Sequence, residues 1–324
     1  MNEKRDLSGI LAIWVVICFT VIALFCATLF KNIQNGTYFA ELLIYVIGVV
    51  GAVVLFKYKG VNYIKQSALC KKINFQSTIY VIAMGLGLVY FGSFFANTIY
   101  YGLELVGYKF TASDVSVTNI TELLVNLVIV CLVPAFCEEF LIRGGVFQSM
   151  NKSQNCLKSI LLSALFFAIL HGSIVQTVHQ FLMGISCAVI LIVSKSLWYP
   201  IILHIFNNSF ALIVTYLQNL SGQNEVLTAT EFFTLQTFAW QVLFAIIGLG
   251  VAYFAFRAFL RKEERKVSEE YADSVMQSSL LKRVVFFDQE KKENQDFSQK
   301  VCYWGAVVVC VAFVVLDLIG GMAI

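Results

Sequence analysis

Charge is scarce in this chain. Only 13% of its 324 residues are Asp, Glu, Lys or Arg, against about 25% in soluble domains. Hydrophobic residues make up 59%, where soluble globular proteins carry about 45–50%. Both departures exclude an ordinary soluble domain and point to an all-α, polytopic membrane protein. The net charge is only +3, and no basic stretch interleaved with aromatics is present, so nucleic acid is excluded as a partner. No nucleotide-binding loop, internal repeat or low-complexity tract occurs, which argues against an ATP-driven pump. The nine cysteines form no C-x-x-C pair and sit mostly in apolar runs, as at Cys18, Cys26, Cys131, Cys187 and Cys310. Buried thiols acting as small hydrophobes account for them better than disulfides or a zinc cluster do. Proline occurs twice and histidine three times, and all three histidines fall between positions 171 and 204.

A membrane span needs roughly 20 apolar residues. Eight or nine candidates meet or approach that length: Ile10–Phe30, Tyr38–Phe56, Thr78–Tyr100, Thr121–Gln148, Leu157–His171, Ile174–Val193, Leu197–Leu217, Phe233–Phe256 and Cys302–Ala323. The fifth is short and could merge with the sixth through Gly172 and Ser173. The first lacks a small-residue cleavage site and reads as a retained anchor. Orientation follows from the positive-inside rule. KYKGVNYIKQSALCKK, Lys57 to Lys72, has five lysines and no acid, and is expected in the cytoplasm. LQNLSGQNEVLTATEF, after the seventh span, carries Glu225 and Glu231 without a base, and is expected outside. Alternation through nine spans then puts the N-terminus inside, Arg257–Lys300 inside and the C-terminus outside. Arg257–Lys300 mixes both signs of charge and reads as a solvated helical extension along the cytoplasmic face, where regulation or partner binding could occur.

Ionisable groups within spans mark pathways, relays or catalytic sites, because removing them from water is costly. Three clusters qualify. In PAFCEEFLIRG, Pro134 to Gly144, Glu139 and Arg143 are four apart and share a helix face. Glu138 is turned about 100° from Glu139, so one glutamate can pair with the arginine while the other faces a cavity. A charged helix end seeking water would look the same in isolation. In LLSALFFAILHGS, Leu161 to Ser173, His171 closes an apolar helix with Phe167 one turn earlier; a packing role is the plain alternative. In SLWYPIILHIFNNSF, Ser196 to Phe210, His204 and Asn208 share a face, and Asn207 faces about 100° away. Such a pair could also hydrogen-bond a neighbouring helix. His179 reads as structural or cavity-lining.

Counting residues at 1.5 Å each puts His204 about 10 Å into its span, Glu138 about 15 Å and His171 about 20 Å. Tilt or a later helix start could bring them level. Peptide-bond hydrolysis needs an activated water and a stabiliser for the oxyanion. A carboxylate and a histidine supply the first, a histidine and an amide the second. Glu138, His171 and His204 would equally suit a catalytic zinc with an open water position.

EEFLIR resembles the E-E-x-x-x-R motif of the CAAX-protease and bacteriocin-processing family of intramembrane proteases. FAILH, Phe167 to His171, resembles its F-x-x-x-H, and HIFNN contains its H-x-x-x-N. The lead-in KSLWYPIILH is also similar to bacterial members. The resemblance covers Thr121–Leu217, about a third of the chain. It implies a helical membrane fold whose cavity opens to the cytoplasmic side. Glu138 and His171 would activate water, His204 and Asn208 would hold the oxyanion, and Glu139, Arg143 and Phe167 would support them. The family is named as metalloprotease, yet the glutamate–histidine scheme needs no metal, and that scheme is preferred here.

The chain therefore divides into N-terminal spans (1–120), a protease core with three motifs (121–217), a further span (218–256), a charged cytoplasmic segment (257–300) and a C-terminal span (301–324). The expected partners are the lipid bilayer and a lipidated or membrane-anchored peptide or protein substrate. Two other functions share these features. One is a non-catalytic scaffold or bacteriocin-immunity factor of the same fold. The other is an ion-coupled transporter, against which stands the lack of repeated, interrupted helices.

Overall fold

The computed structural model describes residues 6–30, 36–69, 72–109, 117–153, 155–221, 234–270 and 297–322. Within these, the chain is helical between short connections. Helix α1 spans Ser8–Phe30, α2 Gly36–Tyr58, α3 Tyr63–Gln66 and α4 Phe75–Glu104. Helix α5 spans Ile120–Ser153, α6 Cys156–Leu170 and α7 Ile174–Ser194. The remaining helices are α8, Trp198–Leu220, α9, Leu235–Glu270, and α10, Phe297–Met322. Eight of these are long and apolar enough to cross a membrane, and α6 is shorter. Their outward sides are apolar, as at Leu24, Val54, Ile246, Phe254 and Val308. Such a belt would be costly in water and is expected against lipid.

The helix ends carry ordinary stop signals. Asn74, Asn119 and Asn155 accept backbone N–H groups at the starts of α4, α5 and α6, which satisfies donors that helix geometry leaves free. His171 caps the end of α6, and Gly172 follows at φ +66°. That left-handed turn suits glycine and stops the helix, so α6 and α7 are separate and do not merge. Lys195, at φ 52°, ends α7 in the same conformation.

Contacts across the bundle sort these ends into two sets. At one end Gly9 packs on the Gln299 backbone, the Asn74 N–H donates to the Tyr199 hydroxyl at 2.8 Å, and the Leu197 N–H donates to the Ala68 carbonyl at 3.3 Å. At the other, Asp317 accepts from the Tyr108 hydroxyl and the Ile174 N–H, and the Asn219 amide donates to the Val117 carbonyl. Among the described residues, nine helices thus alternate in direction, with the short α3 lying at the first end. Of the charged segment expected over Arg257–Lys300, residues up to Glu270 continue α9 as a helix and 297–300 begin α10. The part between them, and the loop at 222–233, lie outside the described residues.

Close packing relies on small residues where helices cross. Gly87 of α4 meets the backbone of α9 at Gly248 and Ala252, and Gly248 in turn meets the Gly87 carbonyl. A side chain at either position would collide with backbone. This is how membrane helices approach closely when lipid supplies no hydrophobic drive.

Candidate active site

Helix α5 carries the centre of the site and is not a regular α-helix. Wider π-helical turns cover Leu127–Leu132 and Phe140–Phe147, on either side of the α-helical piece Val133–Glu139 that holds both glutamates. Pro134 has no N–H to give to a helical ladder, and it sits directly after the first wide region. Wide turns of this kind recur at functional sites. The second region is buried throughout. Its Phe140 carbonyl accepts from the Tyr63 hydroxyl of α3 at 2.8 Å.

The two glutamates separate as their pitch predicts. Glu139 is fully buried and pairs with Arg143 at 2.9 Å, both side chains having no exposed surface. The same carboxylate oxygen accepts from His204 Nδ1 at 3.0 Å. Arg143 also lies over the Phe167 ring, 4.0 Å from its centroid. Both imidazoles meet that ring in edge-on geometry, His171 at 4.8 Å and His204 at 5.6 Å between centroids. Phe167 is therefore the common packing surface for the arginine and both histidines.

Glu138 faces the other way. Its Oε1 accepts from the Tyr45 hydroxyl at 2.8 Å. Its buried Oε2 has no hydrogen-bond partner and stands 3.9 Å from His171 Nε2 and 4.0 Å from His204 Nε2. Those nitrogens are fixed in role by their opposite sides. His171 Nδ1 lies 2.8 Å from the Phe167 carbonyl, which can only accept, so Nδ1 carries the proton. The same holds for His204 Nδ1 against the Glu139 carboxylate. Both Nε2 atoms consequently point their free side at Glu138. A water about 2.8 Å from the carboxylate oxygen and from either nitrogen fits these separations with an angle of about 90° between partners.

Zinc fits less well. Neighbouring ligands of a tetrahedral zinc with bonds of 2.0–2.1 Å lie about 3.4 Å apart, closer than the 3.9 and 4.0 Å found here. Among the described residues, no group of three His, Cys, Asp or Glu could hold a metal ion.

Above this cluster lies a cavity of about 610 Å³. Glu138, His171, His204 and Asn208 all line it, as does His179, so the residues set at three different depths by counting along their spans come together. Asn207 was expected to face away from Asn208, but both line the cavity. His179 Nε2 donates to the Asn207 side-chain oxygen at 2.9 Å, and Asn207 Nδ2 donates weakly to the Asn208 oxygen at 3.4 Å. Two further lining residues, Glu41 and Tyr45 of α2, were missed in the sequence. A signal existed: Glu41 is the only charged residue in Tyr38–Phe56, and Tyr45 follows it by one turn.

Comparison with known proteins bears on the same segment. Residues 120–210 match the family described as type II CAAX prenyl endopeptidase Rce1-like. Over 157 residues the chain is 23% identical to a Bacillus subtilis (strain 168) protein named "Putative membrane peptidase YdiL". That match takes in 47% of this chain and 64% of the relative's length. No solved structure matches the chain. The matched segment holds every residue of the three motifs, and it is over this segment that the chain is similar to the CAAX-protease family.

Proposed function

We propose that this protein is an intramembrane endopeptidase that hydrolyses a peptide bond in a membrane-associated or lipidated polypeptide. The observation that carries the reading is the unpartnered Glu138 Oε2, buried and facing the Nε2 atoms of two histidines. A buried carboxylate oxygen without a partner is costly, and a bound water relieves that cost. The water gives a proton to Glu138, assisted by His171, and its oxygen attacks the carbonyl carbon. The carbonyl oxygen gains negative charge. His204, when protonated, donates from Nε2 to it, with the Glu139 carboxylate balancing the charge, and the Asn208 amide donates from the cavity wall. When the C–N bond breaks, the proton passes from Glu138 or His171 to the leaving amine. Tyr45 and Phe167 act as positioning residues, holding Glu138 and the two rings. No step needs a metal.

The test is substitution of each acting group in turn. Glu138→Ala, His171→Ala and His204→Ala each abolish processing while the protein still inserts in the membrane at normal levels. Normal processing by all three variants would sink the proposal.

A further inference from the structure

The catalytic cluster accounts for the floor of the cavity and leaves open the direction in which it widens. Three observations agree on that direction. Tyr45, which reaches Glu138, is nine residues from Gly36 and thirteen from Tyr58 in α2, or about 14 Å and about 20 Å along the helix. On α8 the lining climbs from His204 through Asn208 to Thr215, near the Leu220 end. On α7 it starts at Gln176, two residues into the helix. In the opposite direction the bundle is filled. Phe140 to Phe147 are all buried, and Tyr63 of α3 packs beside them against Gly145.

The filled end is the lysine-rich one. Lys57, Lys59, Lys65, Lys152, Lys158 and Lys195 lie at or near the helix ends gathered there. The connections at the cavity's end hold two basic residues, Lys31 and Lys109, against Asp114, Glu225 and Glu231. The positive-inside rule makes the lysine-rich end cytoplasmic. This differs from the cytoplasmic opening that the family resemblance implies.

We infer that the cavity is entered from the extracytoplasmic face, so that its substrate is the outward-facing segment of a secreted or membrane-anchored polypeptide. The substrate part of this inference rests on the endopeptidase reading; the direction of entry does not. The wall suits a polypeptide backbone. Gln176, Gln180, Asn207, Asn208 and Thr215 line it and can both donate to and accept from main-chain groups. The Gln180 side-chain oxygen is buried without a hydrogen-bond partner.

Single cysteines placed at the mouth test the direction. Thr215→Cys and Gln176→Cys are exposed to a membrane-impermeant sulfonated maleimide in intact cells and in inverted vesicles, with Lys195→Cys as the opposite-face control. The unsubstituted chain supplies the background from its own thiols. The expected result is labelling of both mouth cysteines in intact cells, and of Lys195→Cys only in inverted vesicles. Mouth cysteines that label only in inverted vesicles, or from neither face, overturn the inference. The substrate part is read separately, from where Glu138-dependent cleavage sites fall in their parent proteins. Sites in extracytoplasmic segments support it, and sites in cytoplasmic segments overturn it. Loss of all Glu138-dependent cleavage would instead strike the endopeptidase reading and leave the labelling result standing.

Discussion

A carboxylate inside a membrane protein is defined by what touches it, and Glu138 and Glu139 show this one residue apart. Glu139 is held by Arg143 and His204, whereas Glu138 is held on one oxygen by Tyr45 and left open on the other. Removing one partner of a buried pair strands the other charge and costs about 3–5 kcal/mol. Glu139→Ala is therefore expected to lower the thermal unfolding midpoint in detergent by that order of stability and to abolish processing. Tyr45→Phe has a different signature. A hydrogen bond to a charged group contributes about 1.5–3 kcal/mol, so losing it should lower kcat roughly tenfold to a hundredfold at 1.4 kcal/mol per factor of ten. KM should stay unchanged, since Tyr45 holds the base and not the substrate; steady-state kinetics on the two proteins separates these terms. The donor spacing also predicts that a chelator leaves activity unaltered, measured by assay before and after dialysis against it. The division between the glutamates was legible in the sequence because helical pitch alone fixes it. Tyr45 was not, because a tyrosine in an apolar span resembles an interfacial anchor until its partner on another helix is known.

At the scale of elements, the spans were legible from apolar run length, whereas the sequence left the fifth and sixth free to merge, and the left-handed turn at Gly172 separates them. The π-helical turns of α5 were not, because hydropathy does not distinguish a wide turn from a regular one. They flank the α-helical piece that carries Pro134, with Glu138 lining the cavity and Arg143 in the packed interior. The short α3 was hidden for another reason: it lies within a lysine-rich loop, and it is tied to the bundle by Tyr63, which meets the Phe140 carbonyl, and by Gln66, which donates to the Ser149 hydroxyl. The crossing of α4 and α9 at Gly87 and Gly248 gives a test confined to packing. Gly248→Leu forces backbone apart, and overpacking of this kind costs about 1–3 kcal/mol. Because α9 contributes nothing to the cavity wall, the expected outcome is a lower unfolding midpoint with processing retained below it. Loss of processing at low temperature would show that the helix pair does more than pack.

For the whole molecule, the matched segment supplies the motifs, but the cavity needs helices outside it. Residues 120–210 match the family, yet Glu41, Tyr45, Ser93 and Ala96 come from earlier in the chain. The N-terminal spans are thus part of the site's wall, a role no motif within 121–217 could announce. Among the described residues nine helices alternate in direction, and the direction in which the cavity widens could be found only once helices from distant parts of the sequence were set side by side. The central claim remains that Glu138 drives peptide-bond hydrolysis. Comparative peptidomics of cells carrying the wild-type protein and Glu138→Ala at equal membrane levels tests it most directly. The account predicts a defined set of peptide ends present with the wild type and missing with the variant. Identical peptide ends in both would contradict it.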